Sequence, residues 1–130
     1  MTESRAKPTV IVVERDTHIC ELLSHFLAEA KLSVECLTDG YGALDRIRLE
    51  RPAIVITDIL IPALDGLSLC RLIKSDESLR GTKVIVLTIL SAEERAMQSG
   101  ADAFMKKPIE KNSLLETVRA LMEQPEGYQA

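Results

Sequence analysis

The sequence predicts an α/β domain: a doubly wound, five-stranded parallel sheet flanked by five helices. Three observations predict it. Short continuous apolar runs such as Val10–Val13 and Ile54–Ile56 lack the alternating polar positions of a half-solvated strand, so they read as strands buried on both faces. Each run is followed by apolar residues at helical spacing, and this alternation, repeated along the chain, requires parallel strands joined by right-handed crossovers. Finally, the runs end abruptly in polar groups: Glu14, Asp58, Thr88 and the Lys106-Lys107 pair. In an open parallel sheet the carboxyl ends of the strands converge on one crevice, where ligands bind. Asp58 stands at the centre of that prediction, because packing alone does not ask for a carboxylate at the end of a buried strand.

The elements follow in order. Val10–Val13 is the first strand, and Ile19, Leu22, Leu23, Phe26, Leu27 and Ala30 mark a helix that Asp16 or Thr17 can cap. Ser33–Leu37 is the second strand, and the Asp39-Gly40 turn leads into a helix over Tyr41–Glu50 with Ala43, Leu44 and Ile47 on its apolar face. Ala53–Asp58 is the third strand. A loop through Pro62 reaches Asp65-Gly66, a turn and N-cap for a helix over Leu67–Lys74 that faces Leu69, Leu72 and Ile73 inward. Lys83–Thr88 is the fourth strand, and Ala92–Ser99 a short, weakly apolar helix ended by Gly100. Ala103–Met105 is a brief fifth strand, and Glu110–Met122 a closing helix with Leu114, Leu115, Val118, Leu121 and Met122 at helical spacing. The chain divides into a flexible start over 1–8, one domain over 9–123 and a tail over 124–130.

Composition narrows the function classes. A length of 130 residues suits one domain with a substantial core, and 46% apolar content argues against disorder. A net charge of −4 and only four aromatic residues argue against direct binding of nucleic acid. No apolar stretch reaches membrane-spanning length, and the first nine residues lack the apolar centre of a signal peptide, so the expected location is cytoplasmic. Cys20, Cys36 and Cys70 lack metal-ligand spacing and read as reduced, buried thiols. His18 and His25 read as surface residues of the first helix.

Val-Val-Glu14, the stretch from Thr57-Asp58 to Asp65-Gly66 through Pro62, Leu87-Thr88 and Lys107-Pro108 together resemble the receiver domain of bacterial two-component response regulators. The resemblance spans about residues 9 to 123 and implies a flavodoxin-like topology. It implies that Asp58 accepts a phosphoryl group from a histidine kinase or phosphotransfer protein, with Mg2+ held beside it by Glu14, Asp58 and the carbonyl of Leu60. A carboxylate can attack phosphorus to form an acyl phosphate, and the charge that develops needs cations and donors. Lys107 would supply the fixed cation and Thr88 a hydroxyl. The Lys107-Pro108 pair matches one that carries a cis peptide in the family. Phe104 falls at the aromatic position that moves with the threonine, which implies a downstream effector docking on the fourth helix, fifth strand and fifth helix.

Two positions depart from the family's pattern. It has two adjacent acids after the first strand, whereas this chain has Glu14-Arg15, with Asp16 read as an N-cap. Magnesium prefers hard oxygen ligands, so exchanging a carboxylate for a guanidinium weakens the site. Arg15 could turn inward and pair with Asp58 or Glu14, making the pocket formally neutral, or point to solvent. Ile89 follows Thr88 where the family has a small residue; it would narrow the approach to Asp58 or present apolar surface beside it. Two readings remain within the family: a phosphorylated switch, and a degenerate receiver that binds partners without phosphorylation. A phosphatase using Asp58 as nucleophile, in the manner of haloacid-dehalogenase-like enzymes, would need a second acid at Leu60.

Overall fold

The computed structural model describes residues 8–124. The flexible start and most of the tail inferred from the sequence lie outside the described residues. The strands are β1 (Val10–Val13), β2 (Val34–Leu37), β3 (Ile54–Thr57), β4 (Lys83–Thr88) and β5 (Ala103–Lys106). All pair in parallel in the order β2-β1-β3-β4-β5. The helices are α1 (Thr17–Glu29), α2 (Gly40–Glu50), α3 (Gly66–Ser75), α4 (Glu93–Gln98) and α5 (Lys111–Glu123). A single 3-10 turn, Glu77–Leu79, lies between α3 and β4. The predicted doubly wound sheet is therefore the observed one.

Strand pleating divides the core. Val10, Val12, Ile54, Ile56, Ile85 and Leu87 face one side, where Leu23 and Leu27 of α1 and Leu114, Val118 and Leu121 of α5 cover them. Ile11, Val13, Val55, Val84 and Val86 face the other, beneath α2, α3 and α4. The central strands are buried on both faces, which explains their unbroken apolar character.

Helix starts follow the capping residues read from the sequence. Asp16 accepts from the His18 N–H, Asp39 from Gly42, and Asp65 from Leu67 and Ser68. Leu72 and Met122, expected inward, lie at the surface, while Cys70 turns into the core. Each sits at the margin of its helix's apolar stripe. Cys20 and Cys70 are buried free thiols, but Cys36, on edge strand β2, is only half-buried. Burial, with a contribution from neighbouring Cys36, pushes the Cys20 thiol up to about 12. His18 and His25 are exposed on α1.

Helix α4 is the weakest element. It has six residues, its N-cap is Ala92 with no side-chain hydrogen bond, and within it only Ala96 is buried. Few apolar contacts oppose its opening. Amide hydrogen exchange is expected to show lower protection over Glu93–Gln98 than over β3 and β4, and equal protection would count against this.

Candidate functional site

Three strand ends build the site, and backbone hydrogen bonds fix each of them. The ladder continues one residue past the strands: Glu14 N–H donates to Leu37 O at 2.9 Å, Asp58 N–H to Val13 O at 3.1 Å, and Lys107 N–H to Thr88 O at 2.9 Å. The side chains of Glu14, Asp58 and Lys107 are thereby carried to one end of the sheet by its rigid centre. Gly66 closes the loop behind them. A Cβ at Gly66 would collide with the Asp58 carbonyl, so only glycine lets α3 start this close to the site.

One ammonium joins two carboxylates. Lys107 Nζ lies 2.8 Å from Glu14 Oε1 and 2.8 Å from Asp58 Oδ2. Glu14 and Asp58 are buried, and Lys107 is largely so. The remaining oxygens are also engaged. Asp58 Oδ1 accepts from the N–H groups of Ile59 at 2.6 Å and Leu60 at 3.2 Å, and Glu14 Oε2 accepts from the Asp16 N–H at 2.9 Å. All four carboxylate oxygens therefore have donors.

This arrangement sets the protonation states. Burial pushes the Asp58 carboxyl up. The Lys107 hydrogen bond, the Thr88 hydroxyl, the Leu60 N–H and the Lys107 charge outweigh burial and hold it below its ordinary value. Burial likewise lowers Lys107, but hydrogen bonds to Asp58 and Glu14 override it and raise the ammonium above its ordinary value. Asp58 is accordingly an anion and Lys107 a cation at neutral pH. Thr88 is fully buried at the end of β4, with its Oγ1 accepting from the Leu90 N–H at 3.3 Å.

The structure separates the predicted site residues. It brings together Glu14, Asp58 and Lys107, with the Thr88 hydroxyl close enough to act on Asp58. Arg15 is exposed and makes no hydrogen bond or ion pair among the described residues, so the inward alternative is corrected: Lys107 is the cation that pairs with both carboxylates. Arg15 lies in the bend between β1 and α1, beyond the strand ladder that holds Glu14. Ile89 is 61% exposed, presenting apolar surface beside Thr88 at the end of β4. Phe104 is half-buried against the α2–α3–α4 side of the core. Lys106 turns outward to Ser91 Oγ at 2.9 Å. The Lys107–Pro108 bond is cis.

Sequence reasoning missed the backbone donors. Leu60, expected to serve through its carbonyl, also donates its N–H to Asp58. The turn signal of Pro62 and Asp65-Gly66 marks where the chain curls back, which is what points these amides at the carboxylate.

The donor set fits a divalent cation poorly. Among the described residues no three His, Cys, Asp or Glu side chains are grouped to hold a metal ion, and no buried side-chain polar atom lacks a partner. Asp16, the nearest further acid in sequence, is exposed and spends its carboxylate on the α1 N-cap. A magnesium ion would have to compete with Lys107 for both carboxylates.

A family model described as the response regulator receiver domain matches residues 10–119. The chain belongs to the receiver family. It is 34% identical over 116 residues to the regulatory protein VanRB of Enterococcus faecalis, a match covering 87% of this chain and 51% of VanRB. The chain spans about half the length of the curated relatives it matches. Among solved structures, the receiver domain of a signal transduction histidine kinase from Syntrophus aciditrophicus is 33% identical with a TM-score of 0.83. That match covers 95% of this chain and 98% of the other. The receiver domain of sensor histidine kinase PA1611 from Pseudomonas aeruginosa shares the fold at 23% identity and a TM-score of 0.83, covering 92% of this chain and all of that one. It has a magnesium ion coordinated in its active site cleft. This receiver therefore has the fold of a two-component signalling module.

Removing Lys107 would leave two buried carboxylates face to face. Lys107→Met is expected to destabilise the domain by about 3 kcal/mol at neutral pH. The pair's contribution in the parent is present above the ordinary carboxylate pKa and is lost as pH falls through the lowered value of Asp58. The difference between parent and variant should therefore shrink as pH falls through and below the ordinary carboxylate range. Denaturant unfolding at a series of pH values checks this, and a pH-independent difference would contradict it.

Proposed function

We propose that this receiver is a phosphorylation switch in which Asp58 takes a phosphoryl group from a histidine kinase or phosphotransfer protein. The observation that supports this reading is the ionised Asp58, buried at a strand end and bonded to Lys107 at 2.8 Å. The carboxylate supplies the electron pair that attacks phosphorus, and an acyl phosphate forms as the donor's bond to phosphorus breaks. Lys107 shifts its hydrogen bond from the carboxylate to the phosphoryl oxygens, and the Thr88 hydroxyl is placed to donate to them. The N–H groups of Ile59 and Leu60 hold the carboxylate in place meanwhile. The output is a protein-binding face rather than turnover of a substrate. A phosphatase would need an acid where this chain has Leu60.

The effector surface is assigned to α4, β5 and α5. A shallow groove of about 640 Å³ lies there, lined by Ser91, Glu93, Glu94, Phe104 and Lys106. It joins the loop after β4 to Phe104, so a change at Thr88 has a short path to it. Charge reversal at Glu94, Lys106 or Arg119 is expected to alter effector affinity. No described helix is long and apolar enough to cross a membrane. With no basic surface signal in the composition, the working location is the cytoplasm and the partners are proteins.

A second reading, a receiver that binds its partners without phosphorylation, is favoured by the saturation of all four carboxylate oxygens. Intact mass after incubation with a phosphoryl donor separates the two. The switch predicts addition of one phosphoryl group, abolished in Asp58→Asn. Addition that persists in that variant would remove Asp58 as the acceptor, and no addition to the parent would leave the second reading.

Magnesium, where it binds, would be held by Glu14, Asp58 and Leu60, and weakly. Arg15→Asp is expected to tighten binding about tenfold or more, because a ligand is gained and a repelling cation is lost. Calorimetric titration checks this, and tight binding by the parent would oppose it.

A further inference from the structure

Phosphorylation would create a charge that the resting pocket cannot balance. At rest, Glu14 and Asp58 face one lysine, a formal excess of one negative charge. Exchanging the Asp58 carboxylate for an acyl phosphate raises that excess to about two. Lys107 has three N–H donors, and the resting contacts with Glu14 and Asp58 use two of them. A second cation is needed close by, and the donor set is too short and too fully engaged to recruit a divalent ion readily.

Two further basic residues adjoin a pocket residue in sequence, Arg15 beside Glu14 and Lys106 beside Lys107. Lys106 turns away to Ser91 Oγ. Arg15 sits at the bend between β1 and α1, exposed and without a partner among the described residues. Its carboxylate neighbour Asp16 is occupied by the His18 N–H. Nothing has to be broken for the guanidinium to swing over the site, and its planar fork matches two phosphoryl oxygens at once.

We propose that Arg15 is the second cation of the phosphorylated state: it closes over the phosphoryl group on Asp58, so transfer from a small acyl phosphate proceeds without a divalent ion. The inference rests on Asp58 being the acceptor. With acetyl phosphate as donor, an Asp58 oxygen bonds to phosphorus, the bond from phosphorus to the acetyl oxygen breaks, and acetate leaves with that electron pair. Total charge is unchanged. Arg15 and Lys107 share the phosphoryl oxygens, Lys107 from inside the pocket and Arg15 from its mouth.

The test uses the full chain and acetyl phosphate in excess chelator, followed by intact mass over time for the parent, Arg15→Ala, Arg15→Lys and Asp58→Asn. The parent is expected to gain one phosphoryl group. Arg15→Ala should gain it about tenfold more slowly, a loss set by one exposed charge-assisted contact. Arg15→Lys should recover much of the rate, and Asp58→Asn should gain nothing. Arg15→Ala should melt with the parent, because the side chain holds nothing in the resting fold. Uptake by the parent only after magnesium is added, or equal rates for parent and Arg15→Ala in chelator, would overturn the role of Arg15 and leave Asp58 as acceptor. Uptake by Asp58→Asn, or none by the parent with or without magnesium, would overturn the acceptor assignment and this inference with it.

Discussion

The hydrogen bonds from Lys107 to Glu14 and Asp58 are the interaction on which the functional end of this molecule depends. They connect the ends of β1, β3 and β5, strands separated in sequence by most of the chain. Two carboxylates buried this close together repel one another unless a cation lies between them. The ammonium, in turn, is kept protonated by the same two groups despite its own burial. The hydrogen-bonding capacity of both carboxylates is therefore met within the protein, and among the described residues no buried side-chain polar atom is left without a partner.

The sheet makes that bridge possible and also limits it. The backbone N–H of each bridge residue is bonded to the neighbouring strand, so the side chains converge without the backbone being free to move. Beyond the ladder lie the β1–α1 bend, the loop over 60–64, the β4–α4 loop and the short α4. Ala63 in the second of these has φ of 74°, a left-handed conformation that costs a residue with a Cβ. The loop sustains it while directing the amides of Ile59 and Leu60 at Asp58.

Much of this was legible in the sequence because burial on both faces leaves an unambiguous signal. Val10–Val13 and Lys83–Thr88 were located to the residue, and the remaining elements to within a residue or two at their ends. Asp58 and Thr88 were legible because each ends an apolar run that packing would have continued, and Lys107 because it directly precedes Pro108. The 3-10 turn at Glu77–Leu79 was not, since three residues are too few to show a period. Leu72 and Met122 were misplaced because helical spacing gives a stripe but not its width. The direction of Arg15 was not legible, because it lies in a bend beyond the end of β1, where strand alternation does not apply.

The outward turn of Arg15 changes the meaning of the departure from the family's two-acid pattern. An arginine folded into the pocket would have competed with Lys107 for the same oxygens and blocked the nucleophile. An arginine in solvent costs the resting state nothing and leaves Asp58 with the single cation that the sheet provides. The substitution therefore leaves the Lys107 bridge undisturbed. Ile89 acts at the same boundary: 61% exposed beside Thr88, it makes the rim of the strand ends apolar where Arg15 makes it cationic. The side chains at that rim are exposed and unconstrained by the core, whereas Glu14, Asp58 and Lys107 are held where the sheet ladder places them.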